Sequence, residues 1–205
     1  MAAKIKYTRP ELKRQRDMLG RFERYLPMLK LKQQQLQVTI QGIERQLREI
    51  QQAKEAAREK FAGYSTVLND VAGVNVRGLA ECEEIKTSSG NIAGVQIPIF
   101  EEAVFPQAFY SLFSTPAWVD TALADLRRIS DIEAREEVLE RQHELLGREL
   151  TKIVQRVNLF EKVKIPEAKE NIRRIRIQLG DEMTSAVGRA KIAKNKLAEV
   201  QSQAD

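Results

Sequence analysis

The sequence predicts an all-α protein: a long antiparallel two-helix coiled coil made by its N- and C-terminal helices, with a small β-hairpin inserted in the middle. Three observations carry this. Apolar residues step by three and four from Leu12, Leu19, Phe22, Leu26 and Leu29 through Leu36, Ile40, Ile43, Leu47 and Ile50 to Phe61, Tyr64, Leu68 and Val71, with Gln15, Gln33 and Lys54 as the polar exceptions. A second ladder of Ile129, Ile132, Leu139, Leu146, Leu150, Ile153, Val157 and Phe160 resumes in another phase at Ile172, Ile175 and Leu179. Between the ladders, Val95, Ile97 and Ile99 alternate with Gln96 and Pro98, the two-residue period of a strand. A seam on an otherwise charged helix is buried by winding a second helix against it, and the chain supplies that partner by folding back.

The elements follow in order. Thr8-Arg9-Pro10-Glu11 places a hydroxyl N-cap before a proline tolerated in the first turn and an acid positioned to reach back. The first helix should run to near Ala72, where Gly73 and Gly78 end the pattern, a rod of about 90 Å at ~1.5 Å per residue. Pro27 should kink it without breaking it, because the seam stays in phase on both sides. Strands are expected at Leu79–Lys86 and Ile92–Phe100, joined by the turn formers Thr87-Ser88-Ser89-Gly90-Asn91. Pro98 marks an edge, with its nitrogen facing outward. The segment from Phe105 to Trp118 holds the densest aromatic content and should pack the hairpin on the helices.

Beyond Pro116 a second helix should reach almost to the C-terminus. Its seam slips twice, by a five-residue step from Phe160 to Ile165 beside Pro166 and again between Leu179 and Met183. It ends on Ala186, Ala190 and Ala193, small residues expected to bring the two helices close at a thin tip. The organisation is therefore residues 1–72, an N-terminal coiled-coil helix; 73–116, a middle segment with hairpin and aromatic cluster; and 117–205, a C-terminal coiled-coil helix, in one elongated domain overall.

Composition narrows the function. Of 205 residues, 31% are charged and 6% aromatic, which suits a slender helical pair and excludes a wide core around an enclosed substrate. Cys82 is the only cysteine, so no internal disulfide forms, and no apolar run approaches the ~20 residues of a membrane span. The start lacks the apolar core of a signal peptide, which points to a soluble chain in a reducing compartment such as the cytoplasm. The single histidine, His143, falls on the seam, and Glu133, Glu136, Glu137, Glu140 and Glu144 read as a solvated face paired with Arg135, Arg141 or Arg148. There is no phosphate loop, no Cys/His metal spacing and no nucleophile elbow. No catalytic residue, cofactor or metal is expected.

Charge instead suggests docking. The formal net charge is +5, yet residues 1–32 and 173–197 together carry +12 and the remainder −7. In an antiparallel hairpin these stretches meet at one tip, making Arg14, Arg21, Arg173, Arg174, Arg176, Lys191 and Lys194 candidate protein-interface residues that steer and orient a partner. Ile92, Val95 and Ile97 are the matching candidates on the hairpin. A rod needs no strands, so the segment from Glu83 to Glu101 is expected to contact a neighbour and modulate its activity.

Both ends resemble the D subunit of the V-type and A-type rotary ATPases, the central rotor shaft, and its bacterial branch in particular. The resemblance lies in Thr8-Arg9, Leu12, Arg16, Leu19 and the run Leu26-Pro27-Met28-Leu29-Lys30-Leu31-Lys32 at one end. At the other it lies in Arg156-Val157-Asn158-Leu159-Phe160-Glu161-Lys162-Val163-Lys164-Ile165-Pro166, Ile172-Arg173-Arg174-Ile175, Leu179-Gly180-Asp181-Glu182-Met183 and the tail Arg189-Ala190-Lys191. Asn91 to Pro98 is similar to the family's β-hairpin. The resemblance implies a non-catalytic central-stalk component that couples ATP hydrolysis or synthesis in a hexamer of A and B subunits to ion transport through the membrane sector. It implies as partners the A and B subunits, the small F subunit and the funnel-shaped C/d subunit above the membrane ring. It also implies a cytoplasmic location, peripheral to the membrane within the V1/A1 sector, without membrane insertion. The alternative from the residues alone is a basic-tipped coiled coil binding nucleic acid, or a scaffold; the basic residues lack interleaved stacking aromatics, which disfavours nucleic acid.

Overall fold

A computed structural model describes residues 6–65, 75–110 and 115–202. The chain is all-α with a hairpin insertion: α1 (Arg9–Ser65), α2 (Val76–Ala80), β1 (Glu84–Ile92), β2 (Val95–Val104), α3 (Trp118–Asn158), a π-helical turn (Leu159–Lys164) and α4 (Ile165–Ser202). It divides into two compact units, one of Met1–Leu31 with Val154–Asp205 and one of Lys32–Ile153. The expected end of the first helix at Ala72, with Leu68, Val71 and Gly73, lies outside the described residues, as do Leu112 and Phe113 of the aromatic segment.

In the first unit, α1 starts where the sequence places it. The Glu11 amide donates to the Thr8 hydroxyl at 3.4 Å, but the Glu11 carboxylate turns to Gln15 Nε2 at 2.8 Å and does not reach back to the cap. The helix passes through the exposed Pro27 unbroken. Antiparallel pairing with the C-terminal segment is fixed by Glu23 with Lys169 at 3.4 Å, Lys30 with Glu161 at 2.8 Å, and the tilted rings of Phe22 and Phe160, 5.1 Å apart. Val157, Ala168, Ile172 and Ile175 form the buried line.

Val157 and Ala168 lie on the same buried line, eleven residues apart. Between them the helix widens into the π turn, which holds one residue more than an α turn, with the Ile165 amide donating to the Phe160 carbonyl five residues back. Pro166 follows at once. The five-residue step in the sequence is thus a wider helical turn, and no break.

The second unit is built differently from a bare coiled coil. Its helices pair antiparallel through Lys54 with Glu136 at 2.5 Å, Arg58 with Glu133 at 2.6 Å and Lys60 with Asp125 at 2.9 Å. Leu36, Ile40, Ile43, Leu146 and Ile153 fill the seam. Glu133 and Glu136 therefore reach across to α1, whereas Glu144 pairs along its own helix with Arg141 and Arg148 as expected. A second face of α3 is also buried, by Ala134, Val138 and Gln142 at four-residue spacing, and the hairpin covers it. Gln142 Nε2 donates to the Pro98 carbonyl at 2.5 Å, and the Arg135 guanidinium lies 5.0 Å from the Phe100 ring centre. Arg127 ties the connecting segments down, donating to the Leu79 carbonyl at 3.1 Å and the Pro106 carbonyl at 2.5 Å.

The hairpin turn is not where the turn formers cluster. Thr87 to Asn91 lie within β1, and the chain reverses at Ala93-Gly94, with φ of 51° and 78°. Successive positive φ values give the two-residue turn whose twist matches the strands, and the Asn91 side chain accepts from the Gly94 amide at 2.9 Å. Leu79 and Ala80 belong to α2, capped by Asn75, whose side chain accepts from the Gly78 amide. Ile92 pairs with Val95 and Ser89 with Pro98, with one bulge between Lys86 and Thr87. In antiparallel pairing the carbonyl and nitrogen of a residue point the same way, so the bond from Gln142 turns the proline's donorless side toward α3, outward from β1.

Candidate subunit interface

The basic candidates all fall in the first unit, and the structure sorts them into two groups. Arg14 and Arg21 on α1 and Arg173, Arg174 and Arg176 on α4 are exposed along the paired stretch. Extending the Glu23–Lys169 register one residue for one puts Arg9, the first residue of α1, opposite Met183. Lys191 and Lys194 lie beyond it, on helix with no α1 residue opposite. Residues 180–196 are exposed without exception. The expected tight seam at Ala186, Ala190 and Ala193 is therefore absent, because α1 does not extend far enough to meet them. Met183, Val187 and Ile192 stand in solvent there, Val187 at 69%.

Glu170 organises part of this surface. It accepts from Arg173 Nε at 2.9 Å and Nη2 at 3.2 Å and from Arg174 Nε at 3.0 Å. These bonds hold its carboxyl down to about 2, and the Arg173 guanidinium is raised in return. Arg14 has only a looser pair, with Glu11 at 3.7 Å. Ion pairs this exposed contribute little to folding. Their effect is to fix where guanidinium groups point while leaving them open to a partner.

On the hairpin, Ile97 is buried at 4% exposure, opposite Gly90 of β1, while Ile92 and Val95 flank the turn half-buried. Lys32 Nζ would lie 3.8 Å from a side chain at Gly94 and itself pairs with Glu149 at 3.5 Å, so this end of the hairpin sits beside the helices.

Nothing in either unit assembles catalytic chemistry among the described residues. His143 is partly exposed beside Glu44 at 3.4 Å. A groove beside α3 is lined by Glu81, Glu83, Glu84, Glu133 and Glu137 with Cys82, but Glu133 is already engaged by Arg58 and Lys54. Among the described residues no cluster has the composition of a metal site, and no helix is long and apolar enough to cross a membrane.

Residues 11–195 match the family of the ATP synthase D subunit. The chain belongs to this family. Similar proteins include the D subunit of the V-type ATP synthase of Borreliella burgdorferi, 40% identical over 195 residues that span 95% of this chain and 96% of the relative. The V-type ATP synthase D subunit of Chlamydia caviae is 33% identical over 206 residues, all of this chain and 99% of the relative. That of Chlamydia trachomatis serovar L2 is 30% identical over 200 residues, or 96% and 98%. As a D subunit, the chain is one component of a rotary ATPase complex, and its exposed, charged paired helices are read on that basis. The sequence reading missed Gln142 and Arg127, which seat the hairpin; the signal for Gln142 was its four-residue spacing from Val138 and Ala134.

Proposed function

We propose that this D subunit is the central-stalk rotor of a V/A-type rotary ATPase, coupling ATP hydrolysis or synthesis in the A/B hexamer to ion transport through the membrane sector. The observation that carries the reading is the end of α4, residues 180–196, helical and wholly exposed next to a paired basic stretch. A shaft must enter a socket, and a single charged helix is thin enough to do so. The rotor performs no chemistry itself. It contacts each A/B pair differently as it turns, and a bias between open and closed states requires such differential contacts. The F subunit and the funnel-shaped C/d subunit complete its partners, and its place is cytoplasmic, peripheral to the membrane within the V1/A1 sector. The segment from Glu83 to Glu101 modulates turnover without bearing torque.

The test is assembly with A and B subunits, measured by native mass spectrometry across a salt series. Replacing Arg173, Arg174, Lys191 and Lys194 together with Gln should weaken assembly and flatten its salt dependence, since salt screens such fields over about 8 Å. Unchanged affinity and unchanged salt response would reduce these side chains to a solvated face and remove the socket reading.

A further inference from the structure

The π turn leaves main-chain hydrogen bonding incomplete at one point on the surface. The Ile165 amide is taken by the Phe160 carbonyl. Pro166 has no amide to give. From Ala168 onward, in α geometry, amides return to the carbonyl four residues back, beginning with Lys164. The carbonyls of Glu161, Lys162 and Val163 are thus left with a single amide between them, that of Glu167, and two have no helical donor. All three residues are exposed. Two neighbouring cationic side chains are engaged elsewhere: Lys30 donates to the Glu161 carboxylate at 2.8 Å and Lys164 to Glu167 at 3.2 Å. Leu159 and Val163 stand alongside, 44% and 49% exposed.

We propose that these two carbonyls bind the guanidinium of an arginine from a partner protein of the complex, with Leu159 and Val163 covering its aliphatic stem. Arginine fits because its planar fork carries five donors and no acceptor, so it satisfies two neighbouring oxygens at once. Its positive charge also suits the negative ends of peptide dipoles. A lysine offers a point charge without the fork, and an acidic or phosphate partner offers only further acceptors. The site rests on the stalk reading for the existence of a partner, but its geometry is independent of the basic residues invoked there.

The experiment uses the chain assembled with A, B and F subunits. Pro166→Ala supplies one amide, and Pro166→Ala combined with deletion of Lys162 removes the extra residue as well, so that every carbonyl is satisfied within the helix. The combined variant should lose about tenfold or more in assembly affinity and the single variant less. Hydroxyl-radical footprinting of the unaltered chain should show Leu159 and Val163 protected on assembly. Undiminished affinity in Pro166→Ala with equal labelling of Leu159 and Val163 in free and assembled chain would show that water alone meets these carbonyls, and overturns the site. If the combined variant loses helical content, the single variant and the footprint decide. An unaltered chain that binds none of the three partners overturns the stalk reading, and this site with it.

Discussion

Gln142 decides whether the hairpin stays on its helix. Its side chain is 8% exposed and donates to the Pro98 carbonyl, the one strand acceptor shown to be served from α3 among the described residues. Gln142→Leu keeps the volume and removes the donor. A buried carbonyl left without a partner costs about 1–3 kcal/mol, and because Pro98 is half-buried the lower part of that range, about 1–2 kcal/mol, applies. A two-stranded hairpin is marginal by itself, so its amide protection reports docking. At about 1.4 kcal/mol per tenfold, amides within β1 and β2 should exchange roughly five to thirty times faster in the variant. Native-state hydrogen exchange read by NMR resolves this residue by residue, with α4 amides around Ile172 and Ile175 as the internal reference. Wild-type exchange in the hairpin, or an equal acceleration in α4, would refute the assignment of docking to this bond.

Gly94→Ala should destabilise the hairpin by about 1–2 kcal/mol through its left-handed backbone alone, since the added carbon would meet nothing closer than Lys32 Nζ at 3.8 Å; a neutral urea midpoint would contradict the turn at Ala93-Gly94. Glu170 should titrate near 2 by carboxyl NMR, and Arg173→Gln or Arg174→Gln should move it up toward 4.5. Because the folded value lies below the unfolded one, its contribution is complete above pH 4.5 and is lost as pH falls toward 2.

Long-range periodicity was legible because burial on a helix demands it. Leu36, Ile40, Ile43, Leu146 and Ile153 are all core, as the ladders indicated. The second buried face of α3 was not, because Ala134 and Gln142 are residues a solvated helix also carries, and only the hairpin's arrival makes them interior. The turn was misplaced for a related reason: Thr87, Ser88, Ser89 and Asn91 favour turns locally, but Gly94 with Asn91 as its acceptor satisfies a tighter reversal two residues later. Pro166 read as a flaw in a heptad, since one inserted residue looks the same in sequence whether the helix breaks or widens. Of the interface candidates, the five arginines do share one stretch; Lys191 and Lys194 do not, because the pairing register marked by Glu23 and Lys169, which the ladders leave open, carries α4 past the start of α1.

The exposed end of α4 has a thermodynamic consequence of its own. An isolated helix of that length in water is held back chiefly by nucleation, the fixing of a first turn for a single hydrogen bond, with a penalty factor of about 10⁻³. Here the chain arrives at Gly180 already wound, on a turn anchored by Ile175 at 0% exposure. Only propagation remains, and alanines at 186, 190 and 193 are the residues that propagate best. The same small side chains that fail to form a seam therefore keep the projecting segment wound. Fraying must advance from the C-terminal end and meets its weakest point at Gly188, where glycine costs about 1 kcal/mol relative to alanine.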